Sequence, residues 1–177
     1  LRIEGALDVP ALRAALAGVV ARHEALHTVF PDADGDGAAT VRPAAEFELA
    51  ERDVSAASAV ETAAHTLAAE EVARPFDLRT GPLFRATLIR LGAETHLLVC
   101  VMHHIVSDAW SVGVMMREFA GLYASRRAGR PEALPAPGAP YRTFAAWQQA
   151  ELAGARGAAQ RDYWLQQLGP ERTVLAL

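Results

Sequence analysis

The sequence predicts a layered α/β or α+β fold, and three observations lead there. Helix-like and strand-like stretches alternate along the chain. About half of the 177 residues are apolar, with moderate charge, which is an ordinary globular composition. The apolar spacing also switches between the helical period and strand alternation from one segment to the next. The length suits one domain with a real core.

The elements follow in order. Leu1-Arg2-Ile3 already reads as strand. Asp8 is placed to cap a helix and Pro10 suits its first turn, while Val9, Leu12, Leu16, Val19 and Val20 fall on one face. Leu26 to Phe30 is a β-prone run closed by Pro31, and Asp32 to Gly37 is turn material. Alternating Asp32, Asp34 and Asp36 invite a calcium-loop reading. The glycine and distal glutamate of such a loop are out of place, so a hairpin tip is the expectation.

Short strands are expected near Ala39–Arg42 and Phe47–Arg52, then a helix over Ala57–Ala73 that ends before Arg74-Pro75. Strands over Leu83–Leu91 and Thr95–His103 flank a turn at Gly92-Ala93. A third helix begins near Ser111 with the stripe Val112, Met115, Met116, Phe119, Leu122 and Tyr123, its methionines being core filler. Gly129 to Pro140 holds four prolines and reads as a loop; helices follow over Thr143–Leu152 and Ala158–Leu168. No internal repeat is visible.

Composition excludes several function classes. A net charge of −4 argues against binding nucleic acid through phosphate neutralisation. No apolar run approaches the roughly 18–20 residues that a membrane span needs. With a single cysteine, Cys100, no internal disulfide is possible, and a reducing, cytoplasmic setting is expected. The first residue is not Met and both ends look like cuts through a longer protein. All 17 basic residues are Arg, which fits a GC-rich coding sequence better than any function.

Chemistry concentrates in Met102-His103-His104-Ile105-Val106-Ser107-Asp108-Ala109-Trp110-Ser111, where an apolar strand gives way to a helix. If the strand runs to residue 104, Leu97, Val99, Val101 and His103 share one face and Leu98, Cys100, Met102 and His104 the other. One imidazole then faces a cleft and the other finds partners inside the protein. Imidazole titrates near ~6.5 when unperturbed, so it can accept a proton at neutrality. Beside an attacking amine, that assistance is worth roughly 100–10,000-fold. An acyl donor that is already a thioester needs no protein nucleophile.

Three rival constellations are weaker. A Ser–His–Asp hydrolase wants a Gly-x-Ser-x-Gly elbow, which is absent, and Ser107 and Ser111 read as turn and cap residues. His104 and Asp108 lack the further ligands of a metal site, so no metal is expected. His103 and Asp108 also satisfy the His-x-x-x-x-Asp pattern of glycerolipid acyltransferases, a weak signal by itself.

Met102 to Ser111 resembles the His-His-x-x-x-Asp-Gly signature of condensation domains of nonribosomal peptide synthetases. Arg22-His23-Glu24-Ala25-Leu26-His27-Thr28-Val29-Phe30 is similar to an earlier motif of that family. So are Pro75-Phe76-Asp77-Leu78 through Gly81-Pro82-Leu83-Phe84-Arg85, Tyr141-Arg142-Thr143-Phe144-Ala145-Ala146-Trp147, and Tyr163-Trp164. The matches run in family order over nearly the whole chain.

The resemblance implies a chloramphenicol-acetyltransferase-like fold, a mixed sheet flanked by helices. Residues 1–177 would form the N-terminal lobe, without its very beginning and without the C-terminal lobe. It implies amide bond formation between acyl and aminoacyl thioesters carried on phosphopantetheine arms, with no cofactor bound directly. The implied partners are donor and acceptor carrier proteins, the missing lobe and neighbouring synthetase domains such as adenylation.

The second histidine of the family pair falls on His104, as base or as positioner of the amine. His103, Asp108, Ala109, Trp110 and Ser111 support it, with Asp108 expected to anchor the loop by an ion pair to an arginine. Arg22 is expected to serve packing or an ion pair of the fold. Ala109 stands where the family has Gly and would be strained at positive φ. His27 replaces an arginine. The Ser-Asp-x-Trp-Ser wording resembles the subtype joining an L donor to an L acceptor. A non-catalytic docking platform and a coenzyme-A-dependent acyltransferase of the same fold are the alternatives. Residues 1–177 alone are expected to be inert, because half a tunnel leaves apolar surface bare.

Overall fold

The computed structural model describes residues 1–31, 38–44, 47–131 and 134–169, in two compact units, Leu1–Pro137 and Gly138–Leu177. In the first, strand β1 (Arg2–Glu4) leads to helix α1 (Val9–Arg22). The side chain of Asp8 accepts from Ala11 N at 2.9 Å and Pro10 occupies the first turn, as such a start requires. α1 buries Leu12, Ala15, Leu16, Val19 and Val20, one stripe at helical spacing.

Strands β2 (Thr28–Val29) and β3 (Thr40–Val41) make a small antiparallel sheet of their own. The run from Leu26 is not strand from its beginning. A single 3₁₀ turn over Glu24–His27 comes first, closed by Leu26 N to His23 O at 2.9 Å and by the Thr28 hydroxyl donating to Glu24 O at 2.7 Å. A side-chain hydroxyl bonding back four residues offers the backbone an alternative that β propensity does not anticipate. The Asp32–Gly37 turn lies outside the described residues.

The main sheet consists of β1, β4 (Leu49–Asp53), β5 (Phe84–Arg90) and β6 (Thr95–Met102), in the order β1-β6-β5-β4. It is mixed: β4 runs parallel to β5, and the other pairs are antiparallel. Strand alternation divides the core. Phe84, Ala86, Leu88 and Leu98 point into the larger cluster with α1 and α3 (Ala109–Arg127), where they meet Met115, Phe119 and Leu122. Ile89, with Leu97 and Val99, faces Ala64 and Leu67 of α2 (Val60–Ala73) on the opposite side.

The sheet therefore has helices on both faces. α1 and α3 meet closely at Gly18, where a Cβ would stand 3.0 Å from Leu122 Cδ1. α2 begins three residues later than Ala57, because Ala57 N closes a turn onto Val54 O at 2.9 Å. The second unit is the helix pair α4 (Tyr141–Ala153) and α5 (Ala155–Leu168), both starting earlier than their apolar spacing indicated. Among the described residues no helix is long and apolar enough to cross a membrane.

Candidate active site at the β6–α3 junction

β6 stops at Met102, so the pleat does not extend to residue 104. Through Met102 the expected alternation holds: Leu98, Cys100 and Met102 pack into the α1–α3 core and Leu97 and Val99 against α2. His103 N still donates to Leu83 O at 3.0 Å, one step beyond the last ladder pair, Phe84 with Met102. The chain then reverses, with Val106 N donating to His103 O at 3.1 Å around His104 and Ile105. A turn, not the pleat, sets where His104 points.

The two imidazoles consequently live in different surroundings. His103 is half-buried, its ring edge-on to Phe76 with centroids 5.7 Å apart. Its Nδ1 accepts the Ile105 N–H at 3.0 Å, and its carbonyl also takes the Ser107 hydroxyl at 3.2 Å. In that bond Nδ1 is the acceptor, which leaves the ring N–H on Nε2. His104 is exposed at the tip of the turn, and among the described residues its ring makes no hydrogen bond. The next residue, Ile105, is also exposed, as is Trp110 in the first turn of α3, the latter 80% accessible.

Asp108 is the N-cap of α3, and Ser111 completes the cap from the third helical position. Its carboxylate accepts Ser111 N at 2.8 Å and the Ser111 hydroxyl at 2.6 Å, while Asp108 N donates to Ser111 Oγ at 3.3 Å. These bonds from Ser111 hold the Asp108 carboxyl below the usual range. The expected ion pair to an arginine is not made among the described residues; the cap already occupies the carboxylate. Ala109 is the first residue of α3, exposed, and no described non-glycine residue has positive φ, so its methyl causes no backbone strain.

These bonds leave little for the rival chemistries. Ser107 and Ser111 hydroxyls are committed to a carbonyl and to the cap, and neither bonds an imidazole. His103 and Asp108 are engaged with Ile105 and Ser111 and not with each other. Burial pushes the Cys100 thiol up to about 11, too high for a thiolate nucleophile at neutrality. Of these side chains, His104 is the one that is exposed and makes no hydrogen bond among the described residues.

Arg22 lies elsewhere in the same unit. Its Nε donates to Glu118 of α3 at 3.0 Å and its Nη2 to the Pro135 carbonyl at 2.6 Å. His23 Nε2 meets the same carboxylate at 2.7 Å. Burial alone would raise the Glu118 carboxyl, but Arg22 and His23 outweigh it and hold it below its ordinary value. His27, in place of an arginine, turns its Nδ1 to the Arg42 carbonyl. Sequence reasoning did not single out Glu118, and it quoted Phe76 and Arg85, which lie beneath His103, only as part of a family-like motif without a role. Glu118 sits one place before the core residue Phe119, which is the only local signal it gives.

Comparison with known proteins places the chain in a family. A family model described as "Condensation domain" matches residues 1–177. A linear gramicidin synthase of Brevibacillus parabrevis is 43% identical over 180 residues, covering 100% of this chain and 2% of that protein. The SgcC5 protein of Streptomyces globisporus is similar in structure, with a TM-score of 0.79 and 32% identity over 98% of this chain and 39% of that one. The X-domain from teicoplanin biosynthesis, solved in complex with OxyB, gives 0.83 and 31% over 98% of this chain and 38% of that one. The chain thus spans well under half of each relative.

Proposed function

Because this chain belongs to the condensation-domain family, with its chloramphenicol-acetyltransferase-like fold, we propose that it takes part in amide bond formation in nonribosomal peptide synthesis. The observation that carries the reading is the exposed imidazole of His104, held between the end of β6 and the capped start of α3. The substrates are an acyl thioester and an aminoacyl thioester, each on the phosphopantetheine arm of a carrier protein. The acceptor amine attacks the donor carbonyl, a C–N bond forms and the C–S bond breaks. His104 takes the amine proton, or holds the nitrogen so that its lone pair meets the carbonyl, and the proton ends on the departing thiol. No protein nucleophile enters, in keeping with the committed serines and the raised thiol of Cys100.

In this reading residues 1–177 are the N-terminal lobe, and a second lobe, donor and acceptor carriers and an adenylation domain are its partners in the cytoplasm. Residues 1–177 by themselves are expected to turn over far below the complete domain. The weaker, second reading is a docking platform without turnover, which rests on the likeness to a domain solved bound to another protein.

Intact-protein mass spectrometry separates the two. The full-length protein receives loaded donor and acceptor carriers, with His104→Ala in parallel. Transfer by the parent and none by the variant supports catalysis. Carrier binding without transfer in either supports docking.

A further inference from the structure

Beneath the His103–Ile105 turn lies a stack of three side chains from separate segments. Arg85, on β5 opposite Val101, shares the sheet face that His103 continues. Its guanidinium donates to the carbonyls of Glu71 at 3.3 Å, Arg74 at 2.7 Å and Pro75 at 3.3 Å, closing the C-terminal end of α2. A cation is favoured there because the helix leaves unpaired carbonyls and a partial negative charge at that end. Arg85 Nε is buried and makes no hydrogen bond, and the Glu71 carboxylate is occupied by Arg74 at 2.7 Å. The Arg85 cation instead lies over the Phe76 ring, with Cζ 3.8 Å from the centroid. The edge-to-face contact between Phe76 and His103 follows, at 87° between planes.

His103 then passes the constraint on. Its backbone N–H is tied to Leu83 and its Nδ1 holds the Ile105 N–H, so the residues on both sides of His104 are fixed. Rotation of the His103 ring would release Ile105 and let the turn relax. We propose that Phe76 and Arg85 are positioning residues for His104, acting through the His103 ring, which works as a hydrogen-bond acceptor at Nδ1. This rests on the assignment of His104 above and extends it to two residues that touch neither substrate nor His104.

The test uses the full-length protein and four variants, Phe76→Leu, His103→Asn, His103→Gln and His104→Ala. An asparagine carbonyl can stand where Nδ1 stands, whereas a glutamine amide reaches the place of Nε2. His103→Asn is therefore expected to keep the Ile105 amide protected from hydrogen exchange, and His103→Gln and Phe76→Leu to expose it. A misplacement of His104 of the order of 1 Å lowers kcat by roughly 10–100-fold in these two, with KM for loaded carriers nearly unchanged.

Equal behaviour of the asparagine and glutamine variants overturns the proposal. So does unchanged turnover in Phe76→Leu when His104→Ala abolishes it. Failure of the catalytic assignment looks different: parent and His104→Ala are then alike in turnover. The ranking of Ile105 exchange alone decides, in that case, whether the stack holds the turn.

Discussion

Two histidine-bearing motifs of this chain, Arg22-His23 and His103-His104, follow opposite courses in the fold. At the end of α1, Arg22 and His23 converge on Glu118, and the ion-pair side chains of Arg22 and Glu118 are each only 16% exposed. Arg22 finds both a carboxylate and a carbonyl, and the cluster ties α1, α3 and Pro135 together. At the end of β6 the division is unequal: His103 is spent on local structure and His104 is left open. The difference teaches that a histidine motif is chemically available only where the fold does not consume it. Paired, half-buried polar groups hold a structure together, and an exposed imidazole that makes no hydrogen bond among the described residues is suited to meet a substrate.

The largest effects should break the comparison in opposite ways. In the full-length protein, His104→Ala is expected to reduce condensation roughly 100–10,000-fold. Its stability should change by less than about 0.5 kcal/mol, since the ring is exposed and removes no partner. Turnover with loaded carriers and denaturant unfolding check the two halves. Glu118→Ala reverses the pattern. It strands Arg22 and should cost about 2–4 kcal/mol in denaturant unfolding, leaving turnover per folded molecule close to the parent. A catalytic loss exceeding the unfolded fraction would show that the cluster also tunes the site.

The next effect is the pH dependence that Glu118 contributes from the half-buried cluster. Glu118 is held below its ordinary value of 4.5, so the charged form favours the folded state. That contribution is fully present above pH 4.5 and is lost as pH falls through the lowered folded value. Stability below pH 4.5 should therefore drop less steeply in Glu118→Gln than in the parent, followed by urea midpoints from pH 6 down to about pH 3. His104→Ala should leave that slope as it is.

Much of this was legible in the sequence where the determinants are local. The Asp8 cap, the Pro10 start and the alternation up to Met102 can be read from neighbouring residues, and the structure follows them. What escaped was decided by contacts across the chain. The His103–Ile105 turn is tied to Leu83 and has Phe76 against its first ring, and the Arg22 cluster depends on a carboxylate 96 positions away; the 3₁₀ turn before β2 is the local exception, set by a hydroxyl bonding backwards that β propensity does not register. Asp108 stood out by its place after the histidines, yet its role as a cap needed Ser111 in view at helical spacing.

The smallest predicted effect is at Ala109, which sharpens the comparison because it alters the open motif without touching either histidine. A glycine normal to the family could indicate a left-handed backbone or a need for space. The first possibility does not apply, since Ala109 opens α3 with φ below zero. Ala109→Gly therefore relieves no strain and, by loosening the first helical turn, should cost up to about 1 kcal/mol in unfolding. Space is tested by kinetics in the same preparation. With the methyl exposed, kcat and KM are expected to stay within about twofold of the parent. A clear gain in kcat/KM on removing that methyl would mean that Ala109 crowds the approach to His104, and that openness at this turn is only partial.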